Sequence, residues 1–394
     1  MKVLQLNSVC GMGSTGKIVV SISKELSKQG IENKILYAYG KDGHANSQKY
    51  SAALYIKVQA LVSRILGNYG FNSYIATKRL IAKIAEFGPD IVHIHNIHSH
   101  DCNLKKLIGY LNRGKIKIVW TFHDCWAFTG YCTYFDMSGC GQWRTTCKNC
   151  PQKKLFSWFF DRSRTMWARK QKLLSNIGLT IITPSKWLAD LTKQSFLGRN
   201  KVWVINNGID LKVFRPTSSD FRQKYHCEDK YVIMGVSFDW DERKGLSDFI
   251  QLASRLEEKY QIVLVGTNDL IDQKLPKNII SIHRTKDTME LAQLYSAADL
   301  FVNPTKEENF PTVNIESLAC GTPVLTYNTG GSPEIIDETC GCVVEKNDIV
   351  ALEREIRSIC EENRYSIEAC VNRAQKFNYL GQFPKYVALY KSLI

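Results

Sequence analysis

Short apolar runs alternate along this chain with stretches in which apolar positions recur every three or four residues. Residues 3–7 (VLQLN) form the first run; a glycine-rich turn follows, and then Ile18, Ile22 and Leu26 recur at helical spacing up to Gly30. The unit is strand, loop, helix. It repeats through KILYAY, a helical stretch, PDIVHIH, the helix LKKLIGYL, KIVWTF, a long loop, a helix near 160–175 and LTIITP. The segment VWVINNGIDLKVFRP, with its turn residues and proline, reads as a linker. The alternation restarts with YVIMGV, LSDFIQLASRLEEK and QIVLVG, and continues through LFVNP, a further helix, TPVLTY and CGCVVE. Apolar strands separated by helices predict parallel sheets covered on both faces. The simplest account is an α/β protein of two Rossmann-like domains, residues 1–205 and 206–378. The amphipathic C-terminal helix, about 379–394, is expected to pack back on the first. No repeat of 20 to 50 residues marks a solenoid.

The length of 394 residues fits two or three domains at roughly 150 residues each, and 44% hydrophobic with 23% charged residues excludes disorder and fibrous architecture. No apolar run approaches the roughly 18 to 20 residues that span a bilayer. The start, MKVLQLNSVCGMG, breaks too soon for a signal-peptide core, so a cytoplasmic location is expected. Charge is divided unevenly. Residues 1–200 carry 29 Lys+Arg against 10 Asp+Glu (+19), and residues 201–394 carry 23 against 28 (−5). A basic half points to a polyanion: nucleic acid, an anionic bilayer face or a phosphorylated substrate; a merely solvated basic surface is the alternative. Among the thirteen cysteines, Cys320, Cys340 and Cys360 read as small core residues.

Gly11, Gly13 and Gly16, followed by Lys17, satisfy G-x-G-x-x-G and the first seven positions of a phosphate-binding loop. Ile18 replaces the Ser or Thr that would hold magnesium, which argues against NTP hydrolysis. The acidic residue of a dinucleotide site is represented only by Asp42, beyond a loop. What survives is an anion approached by backbone amides, or a tight strand-to-helix turn. His93, His95, His98 and His100 lack metal-ligand spacing, because the first two share a strand face and the others fall in the following loop. His123 stands at the carboxyl end of a strand, where open α/β sheets hold their ligands, and could bond a sugar or phosphate.

Four cysteines, Cys132, Cys140, Cys147 and Cys150, lie in one polar loop and end in C-x2-C. Structural zinc is the favoured reading; reduced bystander thiols or disulfides are the alternatives. Residues 155–172 interleave Trp158, Phe159, Phe160 and Trp167 with Arg162, Arg164, Arg169, Lys170 and Lys172, as in a helix at a membrane interface; a core-facing helix with a basic outer side is the alternative. The densest constellation is residues 303–336. There Glu308 and Glu316 flank an expected helix start near Pro311, and Arg243 and Lys244 follow YVIMGV to supply cations. Carboxylates accept hydrogen bonds from sugar hydroxyls, while amides and cations hold a diphosphate.

These features together resemble the retaining glycosyltransferases of family 4. The shared features are the glycine loop, PDIVHIH at 89–95, His123, TPSKW at 183–187, NNGID at 206–210, R-K-G at 243–245, the E-x7-E from Glu308 to Glu316, and GGSPE at 330–334. The resemblance covers nearly the whole chain. The loop HDCWAFTGYCTYFDMSGC and the stretch ENFPTVNIESLACGTPV are further similar to a subgroup of bacterial exopolysaccharide, capsule and O-antigen pathways.

The resemblance implies a GT-B fold, with two Rossmann-like domains facing across a cleft. It also implies transfer of a hexose from a UDP- or GDP-sugar to a saccharide acceptor on a lipid diphosphate, at the inner face of the membrane. Lys244 with Arg243 would bind the donor diphosphate, Glu316 the ribose, and Glu308 would face the transferred sugar. His123 would approach the sugar or diphosphate, and the Gly13 and Gly16 turn would lie near the donor. Relatives have glycines where this chain has Asn309 and Pro311; proline has no amide hydrogen, so Asn309, Phe310 and Thr312 would supply those contacts. Relatives also place an arginine several residues before the lysine, a role left here to Arg243. No metal is expected in catalysis and no nucleic acid as a partner. A nucleotide-dependent epimerase or dehydrogenase would want a Tyr-x-x-x-Lys pair, which no tyrosine here supplies convincingly. A nucleic-acid-binding protein would leave Glu308 and Glu316 unexplained.

Overall fold

The computed structural model describes residues 1–40 and 44–394; Asp42 lies outside the described residues. The chain forms two compact units, Met1–Asn206 with Gln382–Ile394, and Asn207–Gly381.

Among the described residues the first unit carries a seven-stranded sheet. Its strands are β1 (Lys2–Asn7), β2 (Glu32–Tyr37), β3 (Ser47–Lys49), β4 (Ile91–Ile94), β5 (Lys117–Thr121), β6 (Leu179–Thr183) and β7 (Lys201–Val204). Their order is β3-β2-β1-β4-β5-β6-β7, and all pairs are parallel. Val3, Leu4, Leu6, Ile91, Val92, Ile94, Val119 and Ile181 are fully or almost fully buried, because helices cover both faces. The sheet extends into the expected linker: Lys201–Val204 pairs with β6, and as an edge strand it leaves Trp203 and Val204 exposed. One neighbour instead of two covers an edge strand, so its alternation is weak and it reads like a loop.

The second unit holds β8 (Tyr231–Val236), β9 (Tyr260–Val265), β10 (Ile279–Ile282), β11 (Leu300–Asn303), β12 (Val324–Tyr327) and β13 (Gly341–Val344). Their order is β10-β9-β8-β11-β12-β13, again parallel. In both sheets the order reverses beside the first strand, between β1 and β4 and between β8 and β11. Loops leaving the carboxyl ends there part in opposite directions and open a crevice, the usual ligand position in such sheets.

The last helix, Tyr379–Leu393, joins the first unit from Gln382 onward. Tyr386 and Tyr390 are buried on the sheet, and the Tyr390 hydroxyl lies 2.6 Å from His93 Nδ1. Cys320, Cys340 and Cys360 are buried core residues. The basic segment after residue 155 is not one interfacial helix. Its helix is Ser163–Leu174, and Trp167 and Lys170 on it are buried, Trp167 Nε1 donating to the Trp143 carbonyl. Arg164, Arg169 and Lys172 line the helix's exposed side, and Leu155, Trp158, Phe159 and Phe160 in the preceding stretch are exposed as well.

Candidate functional site

In the second unit, β8 ends at Val236 and the chain turns through Glu242–Lys244, a single 3-10 turn capped by Asp241, whose carboxylate accepts from the Lys244 amide. Gly245 then starts the helix Leu246–Arg255 at φ 76°; a methyl group there would stand 2.4 Å from the Pro304 carbonyl oxygen. That close approach draws the β8 loop against the loop leaving β11. The Lys306 amide donates to the Arg243 carbonyl at 2.8 Å, and Arg243 Nη1 donates to the Glu307 carbonyl at 3.3 Å. Across this seam Lys244 Nζ meets Glu308 Oε2 at 2.6 Å, with the side chains 21% and 14% exposed.

Burial pushes the Glu308 carboxyl up, but the Lys244 charge and hydrogen bond, the Asn309 amide and the Arg243 charge hold it below its ordinary value. Glu308 is therefore ionised at neutral pH. Its other oxygen accepts from the Asn309 amide at 2.9 Å, so that amide is engaged within the protein. Gly330, at φ 57°, closes over the same turn: a methyl group would lie 1.8 Å from the Glu308 carbonyl oxygen. The Gly331 amide donates to the Asn309 carbonyl at 2.7 Å.

The chain then enters the helix Thr312–Ala319, whose N-cap, Pro311, offers no side-chain acceptor. Its leading amides and positive dipole end suit an anion. Phe310 is buried, and its carbonyl accepts from Asn207 Nδ2 at 3.2 Å. Glu316 sits one turn inside the helix, partly buried, and accepts from the Tyr295 hydroxyl at 3.3 Å. The structure thus brings Arg243, Lys244, Glu308 and Asn309 together, with Phe310, Thr312 and Glu316 on the turn and helix that follow.

Sequence reasoning missed Lys306 and Asp248. Lys306 pairs with Glu242, and with Asp248 at 3.0 Å; Asp248 also accepts from the Tyr327 hydroxyl at 2.8 Å. Burial lowers the Lys306 pKa, but the two carboxylates carry it above its ordinary value. This buttress supports the seam and commits Lys306 to two acids, whereas Lys244 meets one. A lysine two residues before Glu308 was the available signal.

In the first unit, Gly13 opens the helix Gly13–Lys28, and Gly16 lies inside it with its Cα side facing the Gly11 amide. His123, just past β5, places Nε2 3.0 Å from His95 Nδ1, and His95 Nε2 lies 3.3 Å from Gln5 Oε1. Burial lowers the His123 pKa to about 4 against the opposing charge of Asp124, which leaves a neutral ring. His98 pairs with Asp124 at 2.8 Å, and the Tyr50 hydroxyl donates to buried Asp101 at 2.5 Å. His93 is fully buried between Thr121 and Tyr390. These histidines are hydrogen-bonded to one another and to neighbouring polar groups at the ends of β4 and β5. Asp124 and Asp101 were not singled out in the sequence, although Asp124 adjoins His123. The four loop cysteines line one small cavity in this unit.

Two doubly wound parallel sheets, the second with neighbouring cations and a helix start without a side-chain cap at its switch point, define an α/β protein with a crevice suited to an anion. Residues 15–213 match the family model "Glycosyltransferase Family 4", and residues 218–377 match "Glycosyl transferases group 1". The chain belongs to glycosyltransferase family 4. It is 25% identical over 370 residues, 89% of both chains, to the putative colanic acid biosynthesis glycosyl transferase WcaC of Escherichia coli. It is also 25% identical over 223 residues to the N,N'-diacetylbacillosaminyl-diphospho-undecaprenol alpha-1,3-N-acetylgalactosaminyltransferase of Campylobacter jejuni, covering 52% of this chain and 58% of that protein. The fold is similar to sucrose-phosphate synthase from Thermosynechococcus elongatus, with TM-score 0.74, 18% identity, and 100% and 98% of the chains covered. It is also similar to Anabaena HepE, solved in complex with UDP-glucose, with TM-score 0.71, 16% identity and both chains fully covered. The fold is GT-B and the chain is a glycosyltransferase; the epimerase, dehydrogenase and nucleic-acid readings have no support among its relatives.

Proposed function

We propose that this enzyme transfers a hexose, with retention and without a catalytic metal, from a UDP- or GDP-sugar to a saccharide on a lipid diphosphate. The setting is cell-surface polysaccharide synthesis of the capsule or O-antigen kind. The observation that carries the donor half is the Lys244–Glu308 pair at the switch point of the second sheet, beside the uncapped helix. The reaction separates charge: negative on the departing nucleoside diphosphate, positive at the anomeric carbon. Lys244, Arg243 and the amides of the helix start stabilise the first, doing the work a divalent cation does elsewhere. Glu308 accepts hydrogen bonds from the transferred sugar, and Glu316, fixed by Tyr295, holds the ribose. The departing phosphate oxygen takes the acceptor's proton on the same face, so the configuration is kept and no separate base is needed. In the first unit, neutral His123 is a hydrogen-bonding group of the kind that meets a sugar or a diphosphate, and the Gly13 and Gly16 turn offers backbone amides to an anion.

The acceptor half rests on a surface. Exposed Leu155, Trp158, Phe159 and Phe160 lie by the C-terminal end of the helix Ala53–Leu66, which exposes Leu54 and Leu61; the Trp158 amide donates to the Arg64 carbonyl at 2.8 Å. Lys57, Arg64, Lys153, Lys154 and Arg162 lie along the same segments. Apolar side chains with basic neighbours fit the headgroup level of an anionic bilayer, here the cytoplasmic face. No helix among the described residues is long and apolar enough to cross a membrane.

The test is turnover of a panel of UDP- and GDP-sugars with a lipid-linked saccharide, in the presence and absence of chelator, with the product's anomeric configuration read by NMR. An inverted product, or activity abolished by chelator and restored by a divalent cation, refutes the mechanism. Loss of salt-sensitive flotation with anionic liposomes in Trp158→Asp/Phe159→Asp is expected; unchanged flotation removes the docking surface.

A further inference from the structure

The loop between β5 and the helix Ser163–Leu174 has two 3-10 turns, Trp126–Phe128 and Gln142–Arg144, and one short helix, Lys153–Phe156. Yet it buries Trp126, Phe128, Tyr131 and Trp143 in the first unit's core. Backbone that lacks ladder hydrogen bonds needs another source of order to hold such side chains in place. We propose that Cys132, Cys140, Cys147 and Cys150 bind one zinc ion that supplies that order.

Four observations carry the assignment. All four thiols line one cavity of about 10 Å³, room for roughly one water-sized sphere, walled on the other sides by groups that include Phe135 and Trp143. Cys132 and Cys147 are buried and Cys140 and Cys150 half-buried, which places the cavity just beneath the surface, where an ion can enter. The Gly130 amide donates to Cys147 Sγ at 3.2 Å, a contact that stabilises a metal-bound thiolate. Finally, Lys170 is fully buried, and its Nζ donates to the carbonyls of Trp126, Thr129 and Gly130 at 2.7, 3.0 and 3.5 Å. Three carbonyl acceptors suit an ammonium ion. Burial pushes the Lys170 pKa down to about 7 against Cys147, Asp124 and Cys132, and Asp124 is already paired with His98.

Zinc binding by four cysteines releases four protons to solvent and leaves a cluster of charge −2. Lys170 offsets part of that charge, and the cluster gives the buried cation a counter-ion. The sulfurs must still draw in, since a tetrahedral site with Zn–S of about 2.3 Å sets neighbouring sulfurs about 3.8 Å apart. Among the described residues, the one group of at least three donors lying within 4.8 Å of each other is Asp269, Asp272 and His283, all exposed, and it carries no such surroundings. The movement falls on Cys140 and Cys150, the half-buried pair. Because the loop springs from the strand end that bears His123 and Asp124, the ion would also steady that cluster.

The experiment uses the full chain purified under reducing conditions without chelator. Elemental analysis should find about one zinc per chain, released by a mercurial that attacks thiols. Cobalt exchanged into the protein should show the absorption of tetrahedral cobalt–thiolate. Cys147→Ser and Cys150→Ser should each lose most of the zinc and melt earlier, while Cys320→Ser, remote in sequence and in the other unit, keeps it. If the serine variants do not fold, the metal content and cobalt spectrum of the unaltered chain decide. Protein with less than about a tenth of a zinc per chain, or with a Cys132–Cys150 disulfide in its peptide map, overturns the assignment.

Discussion

Lys244 and Glu308 are held at 2.6 Å, so a bound diphosphate must share a cation already engaged by a carboxylate. At an effective dielectric constant of about 20 their gross attraction is about 6 kcal/mol. Desolvation of two mostly buried charges offsets much of it, and a net of about 1 to 3 kcal/mol remains. Replacing each partner therefore has a different effect. Lys244→Ala leaves Glu308 ionised without its chief counter-charge, next to the expected phosphate position. Affinity for free UDP or GDP should fall, and kcat/KM should fall by about 10² to 10³, the scale of losing one charge-stabilising group. Glu308→Gln neutralises the competitor and frees Lys244 for phosphate. Affinity for the free nucleoside diphosphate should hold or rise by up to about tenfold, while kcat with the nucleotide sugar falls by about 10² or more because the sugar's acceptor is gone. Isothermal titration of both variants with UDP and GDP, beside steady-state kinetics, separates the two effects. Glu308→Gln weakening the free nucleotide as much as Lys244→Ala, or either variant turning over near the normal rate, would refute the reasoning.

Three further outcomes are expected. Glu316→Ala should lower kcat/KM by about 10², and Glu316→Gln, which can still hydrogen-bond a ribose, should recover part of it. Gly330→Ala should cost at least as much activity, because its methyl group would stand 1.8 Å from the Glu308 carbonyl oxygen and force the acidic turn to shift; circular dichroism should show the sheets retained. Removing the His98–Asp124 pair with His98→Gln should destabilise the fold in a pH-dependent way. Burial lowers the His98 pKa, but Asp124 carries it above 6.5, so its contribution is full below 6.5 and is lost as pH rises through the folded value. Burial raises the Asp124 pKa, but His98 holds it below 3.8, so that share is present above 3.8 and is lost as pH falls through the folded value. The difference in urea midpoint between wild type and variant should be largest near pH 4 to 6.5 and shrink toward alkaline pH; a difference independent of pH contradicts the pair.

Much of the fold and part of the site were legible in the chain because strand and helix periodicities are local. Residues 231–236 are apolar on both faces, which only a sheet covered on both sides tolerates, and the helices between such runs force parallel pairing. Pro311 marked the start of the helix that carries Glu316 for a similar local reason: proline fits where an amide has no helical partner. Other features depend on pieces that meet only after folding. Lys244 and Glu308 are 64 residues apart, and the order of β8 and β11 in the sheet, not any spacing in the chain, sets them side by side. Composition left this segment an interfacial helix or a core-facing one with a basic outer side, but the helix Ser163–Leu174 turns both Trp167 and Lys170 inward, against Trp143 and the loop carbonyls. Residues 202–204 read as the start of a linker and became part of an edge strand, since pairing with β6 is a property of its neighbour. The sequence by itself determined the elements and the kinds of group available for the chemistry. Only the tertiary structure decided which charges are paired and which are buried, because pairing and desolvation depend on distances in space that no local pattern records.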